Sequence, residues 1–120
     1  MPALTIDRLF VYGTLQPGQP NEHELASLPG EWSKARIRGR LVDVGWGAYL
    51  GFPGLVIDVS GDWITGHVLS SSTLRREWAR LDAFEGVGYE RVIASITLES
   101  GEETEAHVYV VRPGAEETVT

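Results

Sequence analysis

At 120 residues with a formal net charge of −7 and no cysteine, the chain is one domain of ordinary size, able to bury a core without staples, and disulfides, thiolate zinc sites and cysteine nucleophiles are excluded. A hydrophobic fraction of 42% with four tryptophans and four tyrosines argues against disorder, and the acidic balance runs against a nucleic-acid partner, which needs a basic footprint. No apolar segment approaches the roughly 20 residues that span a bilayer, and "MPALTIDR" lacks the basic start and apolar stretch of a signal peptide, so the expected setting is the cytoplasm, with no membrane partner.

In chain order, "IDRLFVY" (6–12) is the first strand candidate, and it runs straight into the glycine-flanked loop "GTLQPG" (13–18). "PNEHELAS" (20–27) predicts a short helix, with Pro20 suited to a first turn and Glu22 and Glu24 to a helix N-terminal end. "WSKARIRGRLVDV" (32–44) alternates strictly: Lys34, Arg36, Arg38 and Arg40 occupy one side, and Ala35, Ile37, Gly39 and Leu41 the other, the pattern of a half-buried strand. "GWGAYLGFPG" is broken by glycines and Pro53 and predicts a loop before the strand "LVIDVS". "DWITGHVLS" is a further strand, entered through a Ser60-Gly61-Asp62 turn.

"STLRREWARLDAFEG" predicts the long helix, with Ser72 as N-cap and Gly86 as its stop. "YERVIASITLE" and "TEAHVYVVR", joined by "SGE", predict a closing hairpin. Residues 1–113 read as one domain, and 114–120 as a loose polar tail. Strands with a helix inserted before the last hairpin predict an α+β fold, mainly antiparallel and curled into a small barrel.

On the long helix, advancing about 100° per residue from Leu74 places Trp78, Leu81 and Glu85 within about 40° of one line. Glu85 thus lies along the apolar stripe, at the last turn. Partial burial and the negative end of the helix dipole both disfavour its ionised form. Both raise its pKa towards the range of a general base working near neutrality. Helix geometry taken alone favours the plainer reading, a frayed last turn in which Glu85 points to water over Gly86. Asp82 and Glu77, at the stripe's edges, are expected to be solvated or paired with arginine.

Two segments, "VYGTLQPG" (11–18) and "LDAFEGVGYERV" (81–92), resemble the gamma-glutamylcyclotransferase-like family. That family pairs a Tyr-Gly-Ser/Thr-Leu loop after its first strand with a Leu-Asp-x-x-Glu-Gly…Tyr-x-Arg segment. "YLGFPGLV", "ITGHVLSSS" and "GEETEAHVYVV" are similar to its intervening and closing stretches. The resemblance implies a small mixed barrel, mainly antiparallel, with one long and one short helix and a cavity at one end. It implies an enzyme that cyclises a γ-glutamyl amine or amino acid to 5-oxoproline without metal or other cofactor. By position, Tyr12, Gly13, Thr14 and Leu15 would hold the substrate, and Glu85 would be the catalytic proton acceptor.

A glycine-permissive turn can aim backbone N–H groups at a carboxylate or a developing oxyanion. The same "YGTL" also reads as a tight strand exit with Leu15 plugging the core. Tyr89 and Arg91 match the Tyr-x-Arg element; alternation puts both on one strand face, as candidate site-shaping residues. The loop between Tyr49 and Pro53 is longer than the compact family pattern. The alternative function is a non-catalytic module binding a small carboxylate-bearing ligand in the same cavity.

Other features carry less. The row Lys34, Arg36, Arg38 and Arg40 is expected to be a solvated face answered by the surplus of acidic residues, although an anion site on it is conceivable. His23, His67 and His107 share no metal-ligand spacing, though His67 and His107 sit on strands that could be neighbours.

Overall fold

A computed structural model describes residues 6–13, 15–19, 22–42, 54–86 and 88–111. Among the described residues there are six strands: β1 (Arg8–Val11), β2 (Glu31–Val42), β3 (Gly54–Ile57), β4 (Asp62–Ser70), β5 (Tyr89–Leu98) and β6 (Glu103–Val111). The helices are α1 (His23–Ala26) and α2 (Trp78–Glu85), the second preceded by a 3-10 turn, Ser72–Arg76.

The sheet runs in the order β3-β2-β4-β1-β6-β5, and β2 pairs again with β5. Strands β2, β4, β1, β6 and β5 therefore close into a five-stranded barrel with β3 appended to β2, an α+β fold as expected. Among the described residues β1 and β6 pair in parallel, with Leu9 opposite His107, and the other pairings are antiparallel.

The two faces of the strands bury two apolar layers. Inside the barrel lie Phe10, Ala35, Ile37, Val68, Ile96, Ala106, Val108 and Val110. Outside it, Leu9, Val11, Leu69 and Tyr109 are covered by Leu15, Leu25, Leu74 and Leu81. Strand β1 feeds both layers, as period-2 alternation requires. Gly66 lets β1 approach β4, since a Cβ there would run into the Val11 carbonyl and the Phe10 ring. In α1, Leu25 alone is fully buried and anchors the helix to the outer layer.

Several expectations are corrected. The long helix is interrupted: Leu74 N–H donates to Ser71 O and Glu77 N–H to Leu74 O, three residues back, before the α-helical ladder starts with Leu81 to Glu77. The cap is Ser71, whose Oγ accepts from Thr73 N–H, rather than Ser72. The cause is tertiary. Asp7 holds the turn from both ends, its carbonyl accepting from Ser71 N–H at 2.9 Å and its carboxylate pairing with Arg75 at 2.6 Å.

"LVIDVS" stops being a strand at Ile57, because the Asp58 carboxylate accepts from both the N–H and the hydroxyl of Ser60 to close a turn. Leu41, expected on the buried side of β2, is 48% exposed. Strand β4 begins opposite Gly39, so β2 beyond that point pairs with β3 alone and has no barrel to face. Residues 43–53 and the 114–120 tail lie outside the described residues.

Candidate active site

Helix α2 ends at one mouth of the barrel. Gly86 takes φ of +85°, open to glycine at no steric cost, and its N–H donates to Asp82 O at 3.0 Å. That stop leaves Glu85 as the last helical residue, half-buried beside the barrel rim. Burial raises its carboxyl from 4.5 to about 7. Near neutrality the group therefore exchanges a proton at little cost, the condition for an acid–base catalyst.

Two tyrosines meet its charge. Tyr12, just past the end of β1, has its hydroxyl pushed well above the ordinary range by burial, opposed by the Leu55 backbone and reinforced by Glu85 and Tyr89. Its O–H donates to Tyr109 O at 2.7 Å and accepts from Leu55 N–H at 3.1 Å. Tyr12 thus ties β1, β3 and β6 together at the mouth, a structural use of its polar tip that the motif did not disclose. The Tyr109 hydroxyl is also raised far above its usual value, first by burial and then by its bond to Asp82, with Glu85 adding to the effect.

Below Glu85, one turn back on α2, Asp82 is the centre of a clamp. The Tyr109 hydroxyl donates to Asp82 Oδ1 at 2.6 Å. Arg91 donates to both carboxylate oxygens, from Nε at 2.8 Å and Nη2 at 3.3 Å. The bidentate geometry fixes orientation as well as attraction. Burial alone would raise the Asp82 carboxyl, but the Arg91 and Tyr109 hydrogen bonds and the Arg91 charge outweigh it and hold it below its ordinary value. Arg91 also lies 4.3 Å over the Trp78 ring and donates from Nη1 to His107 Nδ1 at 2.9 Å. Burial, then the Arg91 charge, lowers the His107 pKa and keeps the ring neutral, consistent with Nδ1 as acceptor.

The predicted residues therefore divide. Glu85, Tyr12 and Tyr89 come together at the mouth, and Tyr89 is buried against Val111, Val42 and Val56. Gly13 follows directly, its carbonyl accepting from Gln16 N–H at 3.2 Å and Gln16 Nε2 at 3.3 Å. Leu15 is 4% exposed in the outer layer under the helices, so what it can offer a ligand is backbone rather than side chain. Thr14 lies outside the described residues.

Arg91 faces the outside of the barrel wall and grips α2. Beside it runs a groove of about 520 Å³, lined by Asp82, Ala83, Gly86, Tyr89, Glu90, Arg91 and Tyr109. Sequence reasoning missed Tyr109 and His107 as parts of this network. Their signal was the outward side of the "HVYVV" alternation, masked by its apolar neighbours. His67 and His107 are not neighbours: β1 lies between their strands, paired with each. Among the described residues no cluster of side chains could hold a metal ion, and no helix is long and apolar enough to cross a membrane.

Comparison with known proteins bears on the family and the fold. Residues 9–120 match the family described as gamma-glutamyl cyclotransferase, AIG2-like. A curated relative, the gamma-L-glutamyl-butirosin B gamma-glutamyl cyclotransferase of Niallia circulans, is 39% identical over 71 residues, covering 57% of this chain and 41% of that protein. Among solved structures, YkqA from Bacillus subtilis matches with a TM-score of 0.69 and 28% identity over 90% of this chain and 36% of its own. An AIG2-like protein from Mus musculus matches with a TM-score of 0.68 and 26% identity over 93% of this chain and 81% of its own. The chain thus spans less than half the length of the Niallia and Bacillus proteins.

Proposed function

The chain belongs to the gamma-glutamyl cyclotransferase, AIG2-like family, and on that premise we propose that it is a γ-glutamyl cyclotransferase with Glu85 as its proton acceptor and donor. The observation that carries the reading is a half-buried carboxyl at the last turn of α2 beside the barrel mouth, where burial raises its pKa, within the electrostatic reach of Tyr12 and Tyr109.

The substrate is a γ-glutamyl amine or γ-glutamyl amino acid. Its α-amine attacks its own γ-carbonyl carbon, forming the ring C–N bond. Glu85 takes the proton that the nitrogen loses on attack. Collapse of the tetrahedral adduct breaks the original γ-amide bond, and the proton on Glu85 goes to the departing amine. The products are 5-oxoproline and the free amine, and Glu85 returns to its starting state.

Both reacting groups belong to one molecule, so holding it folded converts binding energy into rate. Proton transfer by a positioned side chain contributes about 10²–10⁴-fold. Backbone N–H groups of the loop from Gly13 to Leu15 are assigned to the substrate carboxylate and the developing oxyanion. Tyr12 is assigned to hold the rim rather than donate a proton, because its O–H already donates to Tyr109 O.

The test is mass spectrometry for 5-oxoproline after the pure protein meets a panel of γ-glutamyl amines and dipeptides, with Glu85→Gln alongside. Product that disappears in the variant supports the assignment. Turnover within a few-fold of the parent would refute Glu85's role, and no product across the panel would refute the reaction.

A further inference from the structure

The outer side of β2 carries charge that the barrel mouth does not use. Lys34, Arg36 and Arg38 are exposed at alternate positions of the strand, about 7 Å apart at ~3.3 Å per residue. Of the expected acidic answer to this solvated row, Asp58 pairs with Arg40 at the far end, 3.7 Å away, among the described residues. Arg36 and Arg38 instead lie over the Trp63 ring, 4.6 and 4.3 Å from its centroid.

Neighbouring strands supply polar company. His67 and Thr65 of β4 stand opposite Lys34 and Arg36, and Thr97 of β5 stands opposite Arg36 on the other side. These side chains line a cavity of about 400 Å³, with Gln16 and Glu99 also on its wall. None of its lining residues lines the groove beside Arg91.

We propose that this cavity is a binding site for a small, multiply charged oxyanion, a carboxylate or phosphate compound, held by Lys34 and Arg36. A guanidinium stacked on an indole is oriented in advance, with its N–H edge left for an oxyanion. Gln16 fixes the rest of the wall. Its Nε2 donates to Gly13 O, which turns Oε1 towards His67 Nδ1 at 2.9 Å and sets that nitrogen as the donor. The edge of Trp32 packs near the same ring, 6.4 Å between centroids at 82°. The acidic Glu99 and the net charge of −7 disfavour a long polyanion and suit a compact ligand with its charge concentrated at one end. Gln16 also joins this cavity to Gly13, beside the barrel mouth.

The test follows the indole N–H resonances of Trp32 and Trp63 by ¹H–¹⁵N NMR during titration with inorganic pyrophosphate and, separately, citrate, at constant ionic strength. Saturable shifts with either probe are expected, and the probe that binds more tightly identifies the phosphate or carboxylate source. Arg36→Gln and Lys34→Gln are expected to weaken binding at least tenfold, the scale of one charge-assisted hydrogen bond. Arg40→Gln, outside the cavity, leaves it unchanged. Both cavity variants change exposed residues, and unshifted resonances elsewhere report that the fold is intact. No saturable shift with either probe overturns the proposal, as does equal binding by the Lys34→Gln/Arg36→Gln double variant.

Discussion

The barrel mouth and the outer face of β2 use the same kinds of charged residue in opposite ways. At the mouth, charges are few and each is held by several partners: Asp82 by Arg91 and Tyr109, and Arg91 by Asp82, His107 and the Trp78 ring. On β2, among the described residues, Lys34, Arg36, Arg38 and Arg40 are all exposed, Arg36 and Arg38 against the Trp63 ring and Arg40 in a long pair with Asp58. Burial makes part of the difference: Glu85 and Arg91 are half-buried, although the Asp82 end of the pair is 46% exposed. A charge removed from water costs free energy unless it is hydrogen-bonded, so the mouth keeps ionised groups only where partners surround them and shifts the pKa of Glu85 instead. Water compensates the β2 row, which keeps its charge available to a ligand.

The largest expected effect breaks the mouth at its centre. Glu85→Gln should lower 5-oxoproline release by about 10²–10⁴-fold and abolish the rise in rate through pH about 7, both read from initial rates against pH. The same substitution should stabilise the fold in alkaline solution. The folded-state pKa of Glu85 is raised, so its contribution is fully present below 4.5 and is lost as pH rises through about 7. Removing the ionisable group should recover at most about 3 kcal/mol well above that pH, less what water at the rim already screens, measured as the difference in denaturant midpoint between acid and alkaline solution.

Tyr12→Phe should cost roughly 1–3 kcal/mol in denaturant unfolding, because Leu55 N–H and Tyr109 C=O both lose their partner at the rim. Arg91→Gln should cost roughly 1–2 kcal/mol, the Asp82 end of the pair being half-exposed. Because Arg91 acts on Glu85 through α2, kcat should fall more than KM rises. Arg91→Lys, which keeps the charge but not the fork, should restore part of that loss. At the small end, Arg40→Gln should leave the denaturant midpoint nearly unchanged, since its pair with Asp58 is exposed and 3.7 Å long.

How much of this was legible beforehand follows the same division. Alternation in "KARIRGR" gave β2 its faces, and helical periodicity put Leu74, Leu81 and Glu85 on the side that packs, because those periods are local properties of the chain. What the period could not supply was tertiary. Asp7 tightening the start of the long helix into a 3-10 turn, Tyr12 bridging three strands, and Tyr109 reaching Asp82 all depend on residues distant in sequence. Leu41 followed the alternation yet lost its burial, because β4 begins only opposite Gly39 and β2 continues past it. The loop "YGTL" was ambiguous between a ligand cradle and a core plug, and its residues divide accordingly: Leu15 fills the core, while Tyr12 and Gly13 stand at the mouth.

The central claim is that Glu85 is a carboxyl lifted towards neutrality by its place at the rim. The most direct measurement is an NMR titration of its side-chain carboxyl carbon in the intact protein. A midpoint near 7 is the predicted result. A midpoint near 4.5, the ordinary value for glutamate, would contradict the account by showing a solvated residue at a frayed helix end.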